Sequence, residues 1–148
     1  MTIEERLTQD MKTALKSSDK VQLETIRLLR SQIHNVGITK GKELSEEEIF
    51  EVMAKEVKKR KESIKMFEDG GRQDLVENET REMEIISSYL PEPLNEKELE
   101  TIIREAIKEV RAESMRDMGK VMARIKPEVQ GRADMGAVSK LVKQQLAG

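Results

Sequence analysis

The chain has no cysteine and no tryptophan, one histidine, and only Phe50, Phe67 and Tyr89 as aromatics among 148 residues. Without cysteine there are no disulfides, no thiolate metal sites and no cysteine nucleophile. With His34 as the lone histidine, a histidine metal site is excluded too. So few aromatics argue against a platform on which single-stranded nucleic acid could stack. No apolar run approaches the ~20 residues that a membrane-crossing helix needs. The opening Met1-Thr2-Ile3-Glu4-Glu5-Arg6 lacks a signal-peptide layout. The expectation is a cytoplasmic protein with no membrane, metal or cofactor requirement.

What is abundant is charge. Charged residues make up 38% of the chain against 36% hydrophobic. That balance suits helices burying one stripe of Leu, Ile, Val and Met, with the nine methionines as flexible core filler. The charge is unevenly placed. Residues 1–90 hold sixteen Lys/Arg and nineteen Asp/Glu, a net of −3, whereas residues 114–148 hold seven against three, a net of +4. A cationic C-terminal stretch on an acidic body is the simplest description.

No segment reads as a strand. Ile3, Leu7, Met11 and Leu15 recur at helical spacing. Asp19 can cap a second helix reaching Val36, with Gly37 as its stop and Thr39-Lys40-Gly41-Lys42 as a loop. Ser45 with Glu48 forms a capping box, and the helix it opens runs to about Asp69. Its stripe of Ile49, Met53, Val57, Ile64 and Phe67 is broken within Lys58-Lys59-Arg60-Lys61, a basic run read as a solvated face. Gly70-Gly71 turns the chain into a further helix carrying Leu75, Met83 and Ile86, giving an αα-hairpin. Pro91 and Pro93 stop the helical pattern and mark the best boundary. Asn95 and Glu98 then cap a helix with Leu99, Ile102, Ile103, Ala106 and Val110. The fold expected is all-α: a four-helix body over 1–90, a Pro hinge, and a three-helix module over 91–148.

The module contains an internal echo. Asp-Met-Gly-x-Val occurs at 117–121 and again at 134–138. Each copy reads as an Asp N-cap with a glycine in the first helical turn, and the two helices are separated by Lys126-Pro127 and Gly131. A first-turn glycine costs about 1 kcal/mol relative to alanine. Two of them predict close backbone approach at Gly119 and Gly136, by another helix or by a ligand, with Gly131 in the intervening turn. Lys120, Arg124, Lys126, Arg132, Lys140 and Lys143 are the candidate nucleic-acid contacts, able to neutralise phosphates.

Candidates for chemistry are few. Ser17-Ser18 and Ser87-Ser88 are the serine pairs, and both fall at expected helix ends, where serine bonds locally. His34 lies beside an apolar stripe with no placed acid. Glu46, Glu47 and Glu48 complement a helix dipole. No catalytic residue is assigned.

Tyr89-Leu90-Pro91-Glu92-Pro93-Leu94 with Glu98-Leu99, Met118-Gly119-Lys120-Val121-Met122, Lys126-Pro127 and Gly131-Arg132-Ala133-Asp134 closely resembles the YqeY-like proteins over the whole chain. Residues 91–148 are similar to the tail domain of the B subunit of aspartyl/glutamyl-tRNA amidotransferase. The resemblance implies a helical module that contacts tRNA, with the carbon–nitrogen ligase chemistry (glutamine as amide donor) residing elsewhere. The implied partners are tRNA and amidotransferase subunits or another protein. The leading expectation is a tRNA-associated accessory protein that does not catalyse amide transfer itself. A helical protein–protein adaptor without nucleic-acid binding is the alternative. An amidotransferase-type enzyme is a third reading, which the missing nucleophile disfavours.

Overall fold

A computed structural model describes residues 1–147, and those residues are all helix, turn and loop. Seven α-helices form: α1 Ile3–Ser17, α2 Lys20–Lys40, α3 Glu46–Asp69, α4 Gln73–Ser87, α5 Glu96–Val110, α6 Met118–Val129 and α7 Met135–Ala147. A short 3-10 turn, Met115–Asp117, precedes α6. The chain divides into two compact units, Met1–Leu90 and Pro91–Gly148.

In the first unit, local signals start and stop the helices. Thr2 and Glu5 form a capping box on α1, and Ser45 and Glu48 form one on α3. Asp19 caps α2 through the Gln22 N–H at 3.2 Å and also accepts two bonds from the Arg81 guanidinium of α4, at 2.8 and 2.9 Å. The N-terminal cap of one helix is thereby tied to the flank of another. Leu7, Ile26, Leu29, Ile33, Ile49, Met53, Ile86 and Tyr89 bury together as the core. All but Tyr89, which follows the end of α4, lie on the inward stripe of their helix, so amphipathic spacing sets which faces meet.

Two details differ from the sequence expectation. Helix α2 does not stop at Gly37 but continues to Lys40, and Gly41, at φ +70°, closes it. The left-handed residue that ends a helix is thus the second glycine. Gly37 stays helical, and a Cβ there would stand 3.1 Å from the Lys42 carbonyl oxygen, so its absence admits the returning chain. Arg60 is the second departure. Lys58, Lys59 and Lys61 are exposed, but Arg60 is buried. Its guanidinium donates to the Glu56 carboxylate at 2.7 Å and to the Glu82 carboxylate of α4 at 3.3 Å. The break in the apolar stripe of α3 is therefore an ion-paired core position, not a solvated one. Beside it, burial and the neighbouring Glu82 push the Glu79 carboxyl above its ordinary range, against the pull of Arg60.

In the second unit, Leu99, Ile103 and Ala106 of α5 bury against Val121, Ile125 and Val129 of α6 and Val138 and Val142 of α7. Asn95 caps α5 through the Glu98 N–H at 2.8 Å. The separation expected at Lys126-Pro127 is absent: α6 runs through Pro127 to Val129. Proline removes one N–H from the ladder. Here that loss falls in the last turn, where the Gln130 N–H still reaches the Lys126 carbonyl at 3.0 Å.

Candidate nucleic-acid interface

The two Asp-Met-Gly-x-Val segments build matching helices. Val121 and Ile125 in α6, and Val138 and Val142 in α7, occupy equivalent places after each motif, and all four are fully buried. Burying those positions forces the opposite face outward. Gly119 and Lys126 are seven residues apart in α6, as are Gly136 and Lys143 in α7, and seven residues return to within about 20° of the same face. Each helix therefore presents an exposed glycine near its start and an exposed lysine two turns on, along one line. Lys140 lies one turn after Gly136 on the same side of α7.

The glycines are not packing devices. A Cβ on Gly119 would meet nothing within 4 Å, and one on Gly136 would meet only its own neighbour, the Asp134 carboxylate, at 3.5 Å. Among the described residues no helix approaches either position closely, which corrects that half of the expectation. Gly131 differs: its φ of +77° is one that side-chain-bearing residues rarely adopt, so glycine is needed for the α6–α7 turn.

The aspartates also differ from one another. Asp134 bonds the Gly136 N–H at 3.4 Å and caps α7. Asp117 does not cap α6 with its side chain. Its carboxylate turns back to accept the N–H groups of Glu113 at 2.8 Å and Ser114 at 3.4 Å, closing the 3-10 turn. Those backbone donors, Glu113 first, hold its pKa below the ordinary aspartate value. The reciprocal capping box with Ser114 satisfies Asp117 before α6 begins, which explains the departure.

The six candidate cations fall into two groups. Arg124 donates to Glu109 of α5 at 2.7 Å and to Glu128 at 3.4 Å, and the Glu109 hydrogen bond is the main cause of its raised pKa. Arg132 is half-buried, and its Nε donates to the Glu92 carbonyl at 2.9 Å while its own carbonyl accepts the Leu94 N–H at 2.9 Å. These two arginines bond within the second unit, one between α5 and α6, the other between the proline segment and the α6–α7 turn. Lys120 is 70% exposed, with only a loose 3.8 Å approach to Asp117. Lys126, Lys140 and Lys143 are exposed, and no carboxylate lies within ion-pair distance of them among the described residues. Arg116, exposed on the 3-10 turn, is a further cation that sequence reasoning left out; its place just before the first Asp-Met-Gly motif was the available signal.

The serine pairs have structural occupations. Ser17 Oγ donates to the Ala14 carbonyl at 3.4 Å and Ser88 Oγ to the Ile85 carbonyl at 2.6 Å. His34 is exposed on α2.

Residues 4–146 match the model of the family described as Yqey-like protein, and the chain belongs to that family. A relative in Pyrenophora tritici-repentis, Altered inheritance of mitochondria protein 41, mitochondrial, is 30% identical over 142 residues, covering 94% of this chain and 78% of the relative. Proteins of the same name in Kluyveromyces lactis and Lachancea thermotolerans are 40% and 41% identical over 84 and 85 residues. Those matches cover 56% and 57% of this chain but only 45% and 46% of the two yeast proteins, so the chain spans about half their length. The expectation of a cytoplasmic protein is overturned by these relatives, which are named mitochondrial. It had rested on the missing signal-peptide layout at residues 1–6, and a secretory layout is uninformative about that compartment.

Proposed function

We propose that this YqeY-like chain is a tRNA-associated accessory protein whose module over residues 91–148 contacts the backbone of folded RNA. It does so without catalysing amide transfer. One observation carries the reading: α6 and α7 repeat the same presentation, an exposed glycine backbone followed two turns later by an unpaired lysine. With Lys120 and Lys140 that makes four projecting ammonium groups, arranged for phosphates, while Arg124 and Arg132 bond within the unit. The similarity of residues 91–148 to the amidotransferase tail supports tRNA as the RNA. Pro91 and Pro93 serve in this reading as the joint between a helical body and a three-helix module. Because the relatives are named mitochondrial, a mitochondrial tRNA pool is the first to test.

The experiment is a titration of labelled, folded tRNA with the full chain at several salt concentrations. Four phosphate contacts give a slope of log affinity against log salt of about −3, at about 0.7–0.9 per contact. A Lys126→Glu/Lys143→Glu variant halves that slope and weakens binding. Arg132 is a poor choice for this test, because its loss would also release the proline segment. Absence of binding at low salt by the folded chain refutes the reading and leaves the adaptor alternative.

A further inference from the structure

The second half of α1 and the first half of α2 gather cations that the fold leaves unspent. Residues 12–30 hold five Lys/Arg and two Asp/Glu, although residues 1–90 as a whole carry a net charge of −3. Lys12, Lys16, Lys20, Arg27 and Arg30 are all exposed, and no carboxylate lies within ion-pair distance of any of them among the described residues. The two acids offset them little. Asp19 is already engaged, by the Gln22 N–H and by the Arg81 guanidinium at 2.8 and 2.9 Å. Glu24 is the one acid of this stretch that stands exposed.

Helical register brings the five cations to one surface. α1 and α2 pair across a short turn, and the Arg30 guanidinium crosses the seam to the Met11 sulfur at 3.0 Å. That contact fixes the register. Leu15, one turn beyond Met11 in α1, comes level with Arg27, about one turn before Arg30 in α2. Lys12 and Lys16 lie one turn apart on the shoulder of α1. Lys20 and Arg27, seven residues apart, share a line on α2. Leu15 falls on the seam side of α1, between the two basic rows, and is 53% exposed.

An anionic lipid surface fits this arrangement best. Lipid headgroups diffuse laterally and so meet cations at any spacing, whereas the phosphates of an RNA and the carboxylates of a protein are fixed in place. A bilayer also receives the leucine: apolar side chains bury at the headgroup–acyl boundary while Lys and Arg keep their charges among the headgroups. A phosphate backbone offers Leu15 no apolar counterpart. No described helix is long and apolar enough to cross a membrane, and contact at the surface requires none. We propose that the turn end of the α1–α2 pair docks peripherally on anionic bilayers, with Leu15 at the acyl boundary and the five cations on the headgroups. The rest of the first unit is acidic on balance, so the same field turns it away from the bilayer. This surface does not depend on the RNA contact of the second unit.

Co-sedimentation of the full chain with vesicles tests this, using phosphatidylcholine alone and phosphatidylcholine mixed with phosphatidylserine. The chain sediments with the mixed vesicles only, and salt releases it. Lys12→Gln/Arg27→Gln weakens that binding about 25-fold, about fivefold for each charge removed. Lys59→Gln/Lys61→Gln, a pair exposed on α3 outside the patch, leaves it unchanged. The chain has no tryptophan, so Leu15→Trp supplies a single reporter at an exposed position. Its emission shifts to the blue with the mixed vesicles and not with phosphatidylcholine alone. Failure to sediment with the mixed vesicles, an equal loss from the Lys59/Lys61 pair, or binding without the blue shift overturns the proposal. So does a loss of tRNA affinity in Lys12→Gln/Arg27→Gln with lipid binding unchanged, which would make the patch an RNA surface.

Discussion

Replacing Arg60 with methionine isolates the energetics of the α3–α4 hairpin. Arg60 and Glu56 are each 7% exposed. One guanidinium nitrogen donates to the Glu56 carboxylate at 2.7 Å and to the Glu56 carbonyl at 3.2 Å, and Nε reaches Glu82 at 3.3 Å. Methionine fills the volume of the arginine stem but leaves the Glu56 carboxylate buried without its cation. Breaking a buried pair from one side costs about 3–5 kcal/mol, because the remaining charge cannot regain water. The affected unit, Met1–Leu90, is of a size for which each kcal/mol moves the melting temperature by about 4–8 °C. A loss of about 3 kcal/mol therefore lowers Tm by about 12–24 °C. Removing both buried charges as Glu56→Gln/Arg60→Met recovers part of that loss, since it clears the Glu56–Arg60 pair but leaves Glu82, at the edge, without its Arg60 bond. Thermal and urea unfolding of the full chain, followed by far-UV circular dichroism for all four members of the cycle, measures the coupling directly. A cost below about 1 kcal/mol for Arg60→Met, or a coupling below about 0.5 kcal/mol, refutes the claim that Arg60 is a core residue.

Two other predictions concern single positions. Glu79 has its carboxyl pKa raised in the folded state by burial and by Glu82. A raised folded value means the protonated form favours folding, so Glu79 stabilises the fold at acid pH and loses that contribution as pH rises through its folded pKa. Glu79→Gln therefore stabilises the first unit at neutral pH, and the gain shrinks on acidification; a gain that grows toward acid pH reverses the sign and sinks the argument. Gly119→Ala and Gly136→Ala place a methyl where Gly119 has only open space and Gly136 has only the Asp134 carboxylate at 3.5 Å. Each should stabilise its helix by up to about 1 kcal/mol, read as a rise in Tm, and each should weaken tRNA binding if a phosphate or ribose sits against that backbone; stabilisation with unchanged tRNA affinity removes the glycines from the interface.

Much of the helix pattern was readable because its signals are local. Ser45 and Glu48 lie three residues apart and satisfy each other's backbone donors, and the α3 they open ends at Asp69 as expected. What failed depended on contacts that the local pattern does not carry. Gly37 was expected to stop α2, with Gly41 in the loop beyond, but Gly41 takes the left-handed conformation and the Lys42 N–H returns to the Gly37 carbonyl. Arg60 looked solvated within a basic run: its i,i+4 spacing from Glu56 was legible, but such a pair reads equally as a surface pair, and its second partner, Glu82, lies in the next helix, twenty-two residues on. A long-range charge pair leaves no periodic trace.

At the candidate interface, helical spacing separates residues that the composition lumped together. The count of cations over residues 114–148 gives all seven equal weight, yet Arg124 and Arg132 spend their donors on Glu109, Glu128 and the Glu92 carbonyl. Arginine suits that duty, since its planar fork can serve several acceptors at once. The lysines left over follow the repeated motif: Lys126 comes directly after buried Ile125, and Lys143 directly after buried Val142, so each core residue sets the azimuth of the cation beside it. The same register sets Gly119 and Gly136 outward on that face. Each glycine costs its helix about 1 kcal/mol relative to alanine, and no intramolecular contact requires either one. Two helices that carry that cost at equivalent positions, each in line with a lysine, fit the proposed contact of RNA with the backbone there.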